Sequence, residues 1–370
     1  MNIVISGVCG LIGSELLRHY IKSDSCKNIY AVLRPCSDIS SDQRWEKLKT
    51  WWSKFFDTST YNYSKVHIVS YDFLSSRSDI EDLLINAGID YFFHCAALTN
   101  LNLEYSEARV GNVTTTEYAI SLAEKLPDLK RFVFFSTAFV SGTKTGTIRE
   151  DDKNILKYNN SYERTKYEAE LLVKASSLPY TILRPTIVVA DSNTGYIKGT
   201  KVIYAIFKLW TTGFLKKAPL NKKGYGDIIP IDFIVKVSSY VVTTDKSLGQ
   251  TYHLSSGYPP PRGMDIFRVA TSTFNMPKPR IAPSWIVPIF VSNWFLHFVP
   301  STLRSIIEQL KFFLPYLNST KRFYSNDKIV SLLEGSGIKV PQFEEYKTNL
   351  FKFVKDTFWG KKALENKIFD

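Results

Sequence analysis

Apolar residues occur along this chain in short β-branched or aromatic runs separated by longer amphipathic stretches. The first run, "NIVIS" at residues 2 to 6, is followed by glycines and a helical pattern that opens at Leu11. Residues 28 to 35 ("NIYAVLRP"), 66 to 74 ("VHIVSYDFL") and 90 to 99 ("DYFFHCAALT") read as the second, third and fourth strands. A strongly apolar strand, "LKRFVFFSTAFVSG", stops at Ser136 and Thr137. A polar loop over residues 143 to 160 leads into the helical pattern "YERTKYEAELLVKAS", and "PYTILRPTIVVA" reads as one more buried strand. Strand and helix alternate from residue 1 to about 190, which predicts an α/β fold built on a doubly wound parallel sheet.

Beyond residue 190 the pattern changes. Residues 198 to 223 place Val202, Ile203, Ala205, Ile206, Leu209 and Trp210 at the spacing of an amphipathic helix. Residues 226 to 257 are expected to return to the core, while 191 to 225 and 258 to 370 form a smaller, mostly helical substrate region. The most hydrophobic stretch, residues 283 to 317, is interrupted by Pro288 and Pro300 and is too broken to span a bilayer. Its expected roles, in order, are packing on the sheet domain, lining an acyl tunnel, and lying in a membrane interface. "NDKIVSLLEGSGI" and "QFEEYKTNLFKFVKDTFW" read as a closing helix pair.

Composition adds limits to this outline. Hydrophobic content of 44% over 370 residues suffices for a packed core. The four cysteines form no CxxC pair and share no metal-like spacing with the five histidines, so no metal site is expected and a reduced, cytoplasmic setting is. "MNIVISG" reads as a strand rather than a leader. The balance of 47 basic against 35 acidic residues, a net +12, favours anionic partners: an acidic membrane surface, nucleic acid, or phosphate-bearing cofactors and substrates. Seven of the lysines fall between residues 198 and 223 without a single acid. That suits an acyl chain carried by a phosphate-bearing thiol, or a solvated face.

Candidate chemistry begins at the first turn. Gly7, Gly10 and Gly13 form GxxGxxG between strand and helix, where a tight turn, a pyrophosphate approaching backbone, and close helix–strand packing each require a small residue. The N–H groups at the start of the helix, around Leu11 and Ile12, then face that pyrophosphate with the positive end of the helix dipole. At the end of the second strand an acid would bond a ribose 2′-hydroxyl. Residues 28 to 37 contain none, and Arg34 stands there instead, which favours a 2′-phosphate and hence NADPH. Asp72, with Phe73 beside it, is expected to meet adenine, and Ala96 and Ala97 let a flat cofactor lie against backbone. Ser136 and Thr137 end a parallel strand where such sheets bind ligands. Tyr162 and Lys166 stand one helical turn apart on one side of their helix.

Taken in order, the glycine turn, "HCAA" at 94 to 97, Asn112, "STAFVSG" at 136 to 142, the Tyr162/Lys166 pair and "LRPT" at 183 to 186 resemble the extended short-chain dehydrogenase/reductase superfamily, with its Rossmann core. "GDIIPIDFIVKVSSYVV" and "TYHLSSG" extend the resemblance toward the branch of fatty acyl-CoA reductases and thioester reductase domains. The resemblance implies that Tyr162 is the proton donor, that Lys166 lowers its pKa and bonds the nicotinamide ribose, that Thr137 bonds the substrate oxygen, and that Asn112 supports the lysine through water. Pro185 and Ile187 join the cofactor-binding set on the same grounds. The implied reaction is NADPH-dependent reduction of an acyl thioester, on coenzyme A or an acidic carrier protein, to an aldehyde and, with a second hydride, an alcohol. Alternatives left open are a sterol-type hydroxyl dehydrogenase, a nucleotide-sugar epimerase or dehydratase, and a dinucleotide sensor without catalysis. Nucleic acid is not an expected partner; peripheral membrane contact is compatible with the charge.

Overall fold

The computed structural model describes residues 1–35, 38–72, 78–152, 157–199, 203–211, 217–218, 221–277, 280–281, 316, 319–364 and 367–368. Seven strands form one parallel sheet: β1 (Asn2–Ser6), β2 (Asn28–Leu33), β3 (Val66–Ser70), β4 (Tyr91–His94), β5 (Arg131–Phe135), β6 (Tyr180–Pro185) and β7 (Gln250–Leu254). Their order is β7-β6-β5-β4-β1-β2-β3, with every neighbouring pair parallel. The order reverses direction at β1 and β4, so their carboxyl ends open a crevice at the switch point.

Both faces of the sheet are covered, and alternation along each strand divides the core in two. Ile3, Ile5, Phe93, Val133, Phe135 and Leu183 face one layer, into which α1 (Leu11–Lys22), α2 (Ser41–Ser53) and α8 (Ile231–Val241) pack. Val4, Phe92, Phe132, Phe134 and Ile182 face the other, against α3 (Ser78–Asn86), α5 (Thr115–Glu124) and α6 (Ser161–Ala175). Burial on both faces explains why "RFVFF" reads as a continuous apolar run rather than an alternating one. A short helix, α4 (Tyr105–Arg109), enters α5 through a π-helical turn at Val110–Thr114.

Several expectations are refined. The run 179–190 is two strands: β6 joins the main sheet, and Ile187–Val189 pairs in parallel with Ile228–Pro230. The break falls at Thr186, whose N–H donates to Leu254 and whose hydroxyl donates to Asp227. The loop at 143–160 contains a strand, Gly146–Ile148, paired with Arg322–Tyr324 from the distant C-terminal part. The last expected helix is two short pieces, Phe343–Tyr346 and Lys352–Asp356, and Phe358 and Trp359 adopt positive φ.

The helix expected at 198–223 is observed as α7 (Ile203–Thr211), with Ile203, Tyr204, Ile206, Phe207 and Trp210 all buried. Phe207 and Trp210 pack against Phe267 of α9 (Gly263–Thr273), and Phe207 also meets Phe351. It is a core helix, not a half-exposed one. Val202, Phe73, Lys201, Lys216 and, apart from Tyr316, all of 283–317 lie outside the described residues. Among the described residues no helix is long and apolar enough to cross a membrane.

Candidate active site

At the carboxyl end of β1, Gly7 has φ +71°, and a Cβ there would stand 2.7 Å from the Ala96 nitrogen. A Cβ on Gly13 would stand 2.4 Å from the Gly7 carbonyl oxygen, so α1 approaches the turn more closely than any other residue allows. Gly10 caps α1 and donates its N–H to the Gly7 carbonyl at 2.8 Å. Ser6 fixes the neighbouring strand end: its Oγ contacts His94 Nδ1 at 2.9 Å and accepts from the Ala96 N–H at 3.3 Å. The result is a cradle of backbone beside a cavity of about 250 Å³ that is lined by Gly7, Gly10, Arg34, Asp72, Ala96 and Ala97. Leu11 and Ile12, half-buried, pack the first turn of α1 onto the core.

The sequence reading missed a second arginine lining this cavity, Arg44 on α2. Its guanidinium donates to the Arg34 carbonyl, so the two basic side chains share one strand end. The signal was present: Ser40 and Gln43 form a reciprocal capping box that starts α2 and points its first turn at β2. A dinucleotide fits this donor set, with glycine backbone for a pyrophosphate and two guanidiniums in place of the acid that would bond a free ribose hydroxyl. Lys198 was expected with the substrate segment, but it donates to the Cys9 carbonyl at 2.6 Å and so reaches the glycine turn.

Across the crevice, Asn160 caps α6 by accepting from the Glu163 N–H at 3.0 Å, which sets Tyr162 in the first turn. Thr137, buried at the end of β5, donates to the Pro185 carbonyl at 3.4 Å and accepts from the Phe139 N–H at 3.3 Å. Burial pushes the Tyr162 phenol up to about 12, against a hydrogen bond with Thr137 that pulls it down. The sequence reading anticipated a phenol lowered by Lys166. In this geometry burial prevails, and a phenol that holds its proton at neutral pH suits a donor.

Lys166 is only 1% exposed, with its ammonium 4.1 Å above the Phe134 ring. Burial pushes it down to about 8, opposed by the negative charge of Glu170 and by Cys95. Glu170 is fully buried and held by Arg184 through bonds of 2.6 and 2.8 Å. Asn112, on the π-helical turn, accepts from the Leu98 N–H at 2.7 Å and donates to Thr165 Oγ1 at 2.9 Å. It therefore joins the loop after β4 to the residue preceding Lys166. Pro185 and Ile187 flank Thr186 on the same rim.

Glu163, next to Tyr162, is fully buried and was not singled out from the sequence. Its carboxylate accepts from the Asn159 backbone N–H at 2.7 Å and from the Tyr316 hydroxyl at 2.5 Å, and burial raises its pKa. Tyr316 also accepts from Asn160 at 2.8 Å, which ties the C-terminal part to the turn that carries Tyr162. An acid flanked by polar residues reads as solvated until its partner, 153 positions away, is seen.

Comparison with known proteins agrees with this geometry. The family described as "Male sterility protein", an NAD-binding family, matches residues 5–238. Fatty acyl-CoA reductase 2 of Mus musculus is 26% identical in an alignment 302 positions long that covers 69% of this chain and 58% of that protein. The chain thus spans little more than half the length of that relative. Among solved structures, the terminal R domain from the myxalamid PKS-NRPS biosynthetic pathway superposes with a TM-score of 0.76 at 21% identity, covering 98% of this chain and 92% of its own. A thiolation-reductase di-domain from an archaeal non-ribosomal peptide synthetase gives 0.73 at 18% identity over 97% of this chain and 76% of that one. UDP-glucuronic acid 4-epimerase from Bacillus cereus, in complex with NAD, gives 0.66 at 17% identity over 97% of this chain and 98% of that one. At such identities the solved structures speak for the fold. With the family matched over most of the parallel sheet and its glycine turn, the chain belongs to the male sterility protein family, an NAD(P)-binding branch of the extended short-chain dehydrogenase/reductases, a superfamily of oxidoreductases.

Proposed function

We propose that this oxidoreductase reduces an acyl thioester with NADPH. The observation that supports the reading is the hydrogen bond between Thr137 and Tyr162, with the buried Lys166 one helical turn further on, beside a sheet whose glycine cradle opens onto a cavity lined by Arg34 and Arg44. Gly7, Gly10 and Gly13, with the N–H groups at Leu11 and Ile12, would hold the pyrophosphate. Arg34 and Arg44 would hold the 2′-phosphate, Asp72, Ala96 and Ala97 would serve the adenosine half, and Lys166, Pro185 and Ile187 would serve the nicotinamide half.

When bound, NADPH supplies a hydride to the thioester carbonyl carbon. Thr137 and Tyr162 bond the carbonyl oxygen, and Tyr162 gives it a proton as negative charge develops there. The Lys166 ammonium stabilises the phenolate left behind, and solvent returns the proton. Asn112 holds the helix turn that presents both residues. Cleavage of the C–S bond in the resulting hemithioacetal releases a thiol and an aldehyde, and a second hydride would give the alcohol. The thiol carrier is coenzyme A or an acidic carrier protein. A relative named for acyl-CoA, a similar fold that adjoins a thiolation domain, and the basic net charge support that choice. Contact with an anionic membrane surface is compatible with the same charge. The sugar-nucleotide reading has a likeness of fold behind it, but two arginines at the adenosine end weigh toward NADPH. The test is NADPH consumption with a panel of acyl-CoAs, free aldehydes, sterols and nucleotide sugars. Turnover confined to sterols or sugars would overturn the proposal.

A further inference from the structure

Behind the catalytic rim lies a second cavity, of about 10 Å³, room for about one water molecule. Asp227 lines it and is only 8% exposed. One carboxylate oxygen, Oδ1, accepts from Thr186 Oγ1 at 2.9 Å, from the Ser256 N–H at 2.9 Å and from Ser256 Oγ at 3.0 Å. The other, Oδ2, is buried and has no hydrogen-bond partner among the described residues. Arg322 lines the same cavity, and its buried Nη1 likewise has no partner among them, although its Nε donates to the Lys144 carbonyl at 3.3 Å. Two residues that line one small space thus carry an orphaned acceptor and an orphaned donor, and leaving both unmatched is costly. Burial pushes the Asp227 carboxyl up to about 6, which leaves it ionised, and so an acceptor, at neutral pH.

The cavity is tied to the reaction rim at two points. Thr137 donates to the carbonyl of Pro185, and the next residue, Thr186, holds Asp227. Phe139, which follows Thr137 by two positions and donates its N–H to it, shares the cavity wall with Tyr316, their rings 4.2 Å apart. Tyr316 in turn bonds Glu163, the neighbour of Tyr162. A group held here would sit beside the substrate of Thr137 and Tyr162.

We infer that this cavity is a subsite for one hydroxyl group of the thioester substrate, which donates to Asp227 Oδ2 and accepts from Arg322 Nη1. A hydroxyl has about the size of one water molecule and can both donate and accept a hydrogen bond, which an apolar methylene cannot. The inference rests on the acyl-thioester reading and narrows it. The hydroxyl has two possible sources, a hydroxylated acyl chain or the pantetheine arm of the carrier.

The test measures kcat/KM ratios. One pair compares hydroxyoctanoyl-CoAs, hydroxylated at the 2, 3 or 4 position, with octanoyl-CoA. The other compares octanoyl-phosphopantetheine with its analogue deoxygenated at the pantoyl carbon next to the amide, which lacks only the arm's secondary hydroxyl. The parent protein should favour the hydroxyl-bearing member of one pair by on the order of tenfold to a hundredfold, the worth of a hydrogen bond to a charged group. Asp227→Asn, which turns the acceptor into a donor at unchanged size, should bring that ratio close to one, as should Arg322→Met. Ratios near one for both pairs in the parent protein overturn the inference, as does a preference that both variants retain. If no thioester is reduced at all, the proposed function fails first. Calorimetry with the unreactive S-alkyl thioethers of the same pairs then decides the subsite by itself, since equal affinities with and without the hydroxyl overturn it.

Discussion

Lys166→Met should make the protein more stable near pH 7 while removing its activity. With an ordinary lysine value of 10.5 and a buried value of about 8, holding the ammonium in the core costs the fold about 3 kcal/mol. The sign follows from which state binds the proton. Below about pH 8 folded and unfolded chains both carry it and the full cost is present. Between about 8 and 10.5 the folded state has released it while the unfolded state keeps it, so stability rises with pH; above 10.5 the cost is gone. Methionine fills similar space without charge but forfeits the contact with the Phe134 ring, worth about 1 kcal/mol. The variant should therefore be about 1–3 kcal/mol more stable at pH 7, with the gap closing above pH 8. Urea unfolding of both proteins at pH 7 and pH 10 measures it. A gap equal at both pH values, or a variant less stable at pH 7, would refute the assignment of a buried, functionally retained charge.

Tyr162→Phe should lower turnover by about 10²–10⁴-fold with little change in unfolding midpoint, because the ring still packs and only the proton donor is lost. Arg34→Ala and Arg44→Ala should each weaken NADPH binding relative to NADH, and the double variant should erase the preference; equal Kd values for the two cofactors in the parent protein would contradict both roles. Gly13→Ala forces a Cβ to within 2.4 Å of the Gly7 carbonyl, so the helix must back away. The unfolding free energy should drop by about 1–3 kcal/mol, and cofactor affinity should fall with it. In Lys166→Arg the alkaline fall in kcat/KM, expected near pH 8 as the ammonium is lost, should move out of the measurable range, and a limb that stays near 8 would exclude Lys166 as its source.

The architecture was legible because its signals are local. β-branched and aromatic runs such as "NIVIS" and "RFVFF" alternate with helix-period segments, and Gly7, Gly10 and Gly13 mark the turn where strand meets helix. Thr137, Tyr162 and Lys166 were legible as motif members, and the fold brings Thr137 and Tyr162 into hydrogen-bonding reach. What escaped the reading depends on contacts far apart in sequence. Glu163 looks like a surface acid until Tyr316 covers it, and Lys198 looks like one of a lysine cluster until it reaches Cys9. Asp227 lies in a run whose pattern says only strand and helix; its isolation appears once Thr186, Ser256 and Arg322 assemble around it. The opposite pKa shift of Tyr162 has the same origin, since burial is a property of the assembled crevice and not of the YxxxK spacing.

The most direct test of thioester reduction is the stoichiometry of thiol release against NADPH consumption, with purified protein and an acyl-CoA. The account predicts that each coenzyme A thiol appears with one NADPH consumed if the product is the aldehyde, or two if it is the alcohol, and that Tyr162→Phe suppresses both signals together. NADPH consumption without thiol release, or thiol release without NADPH, would contradict it.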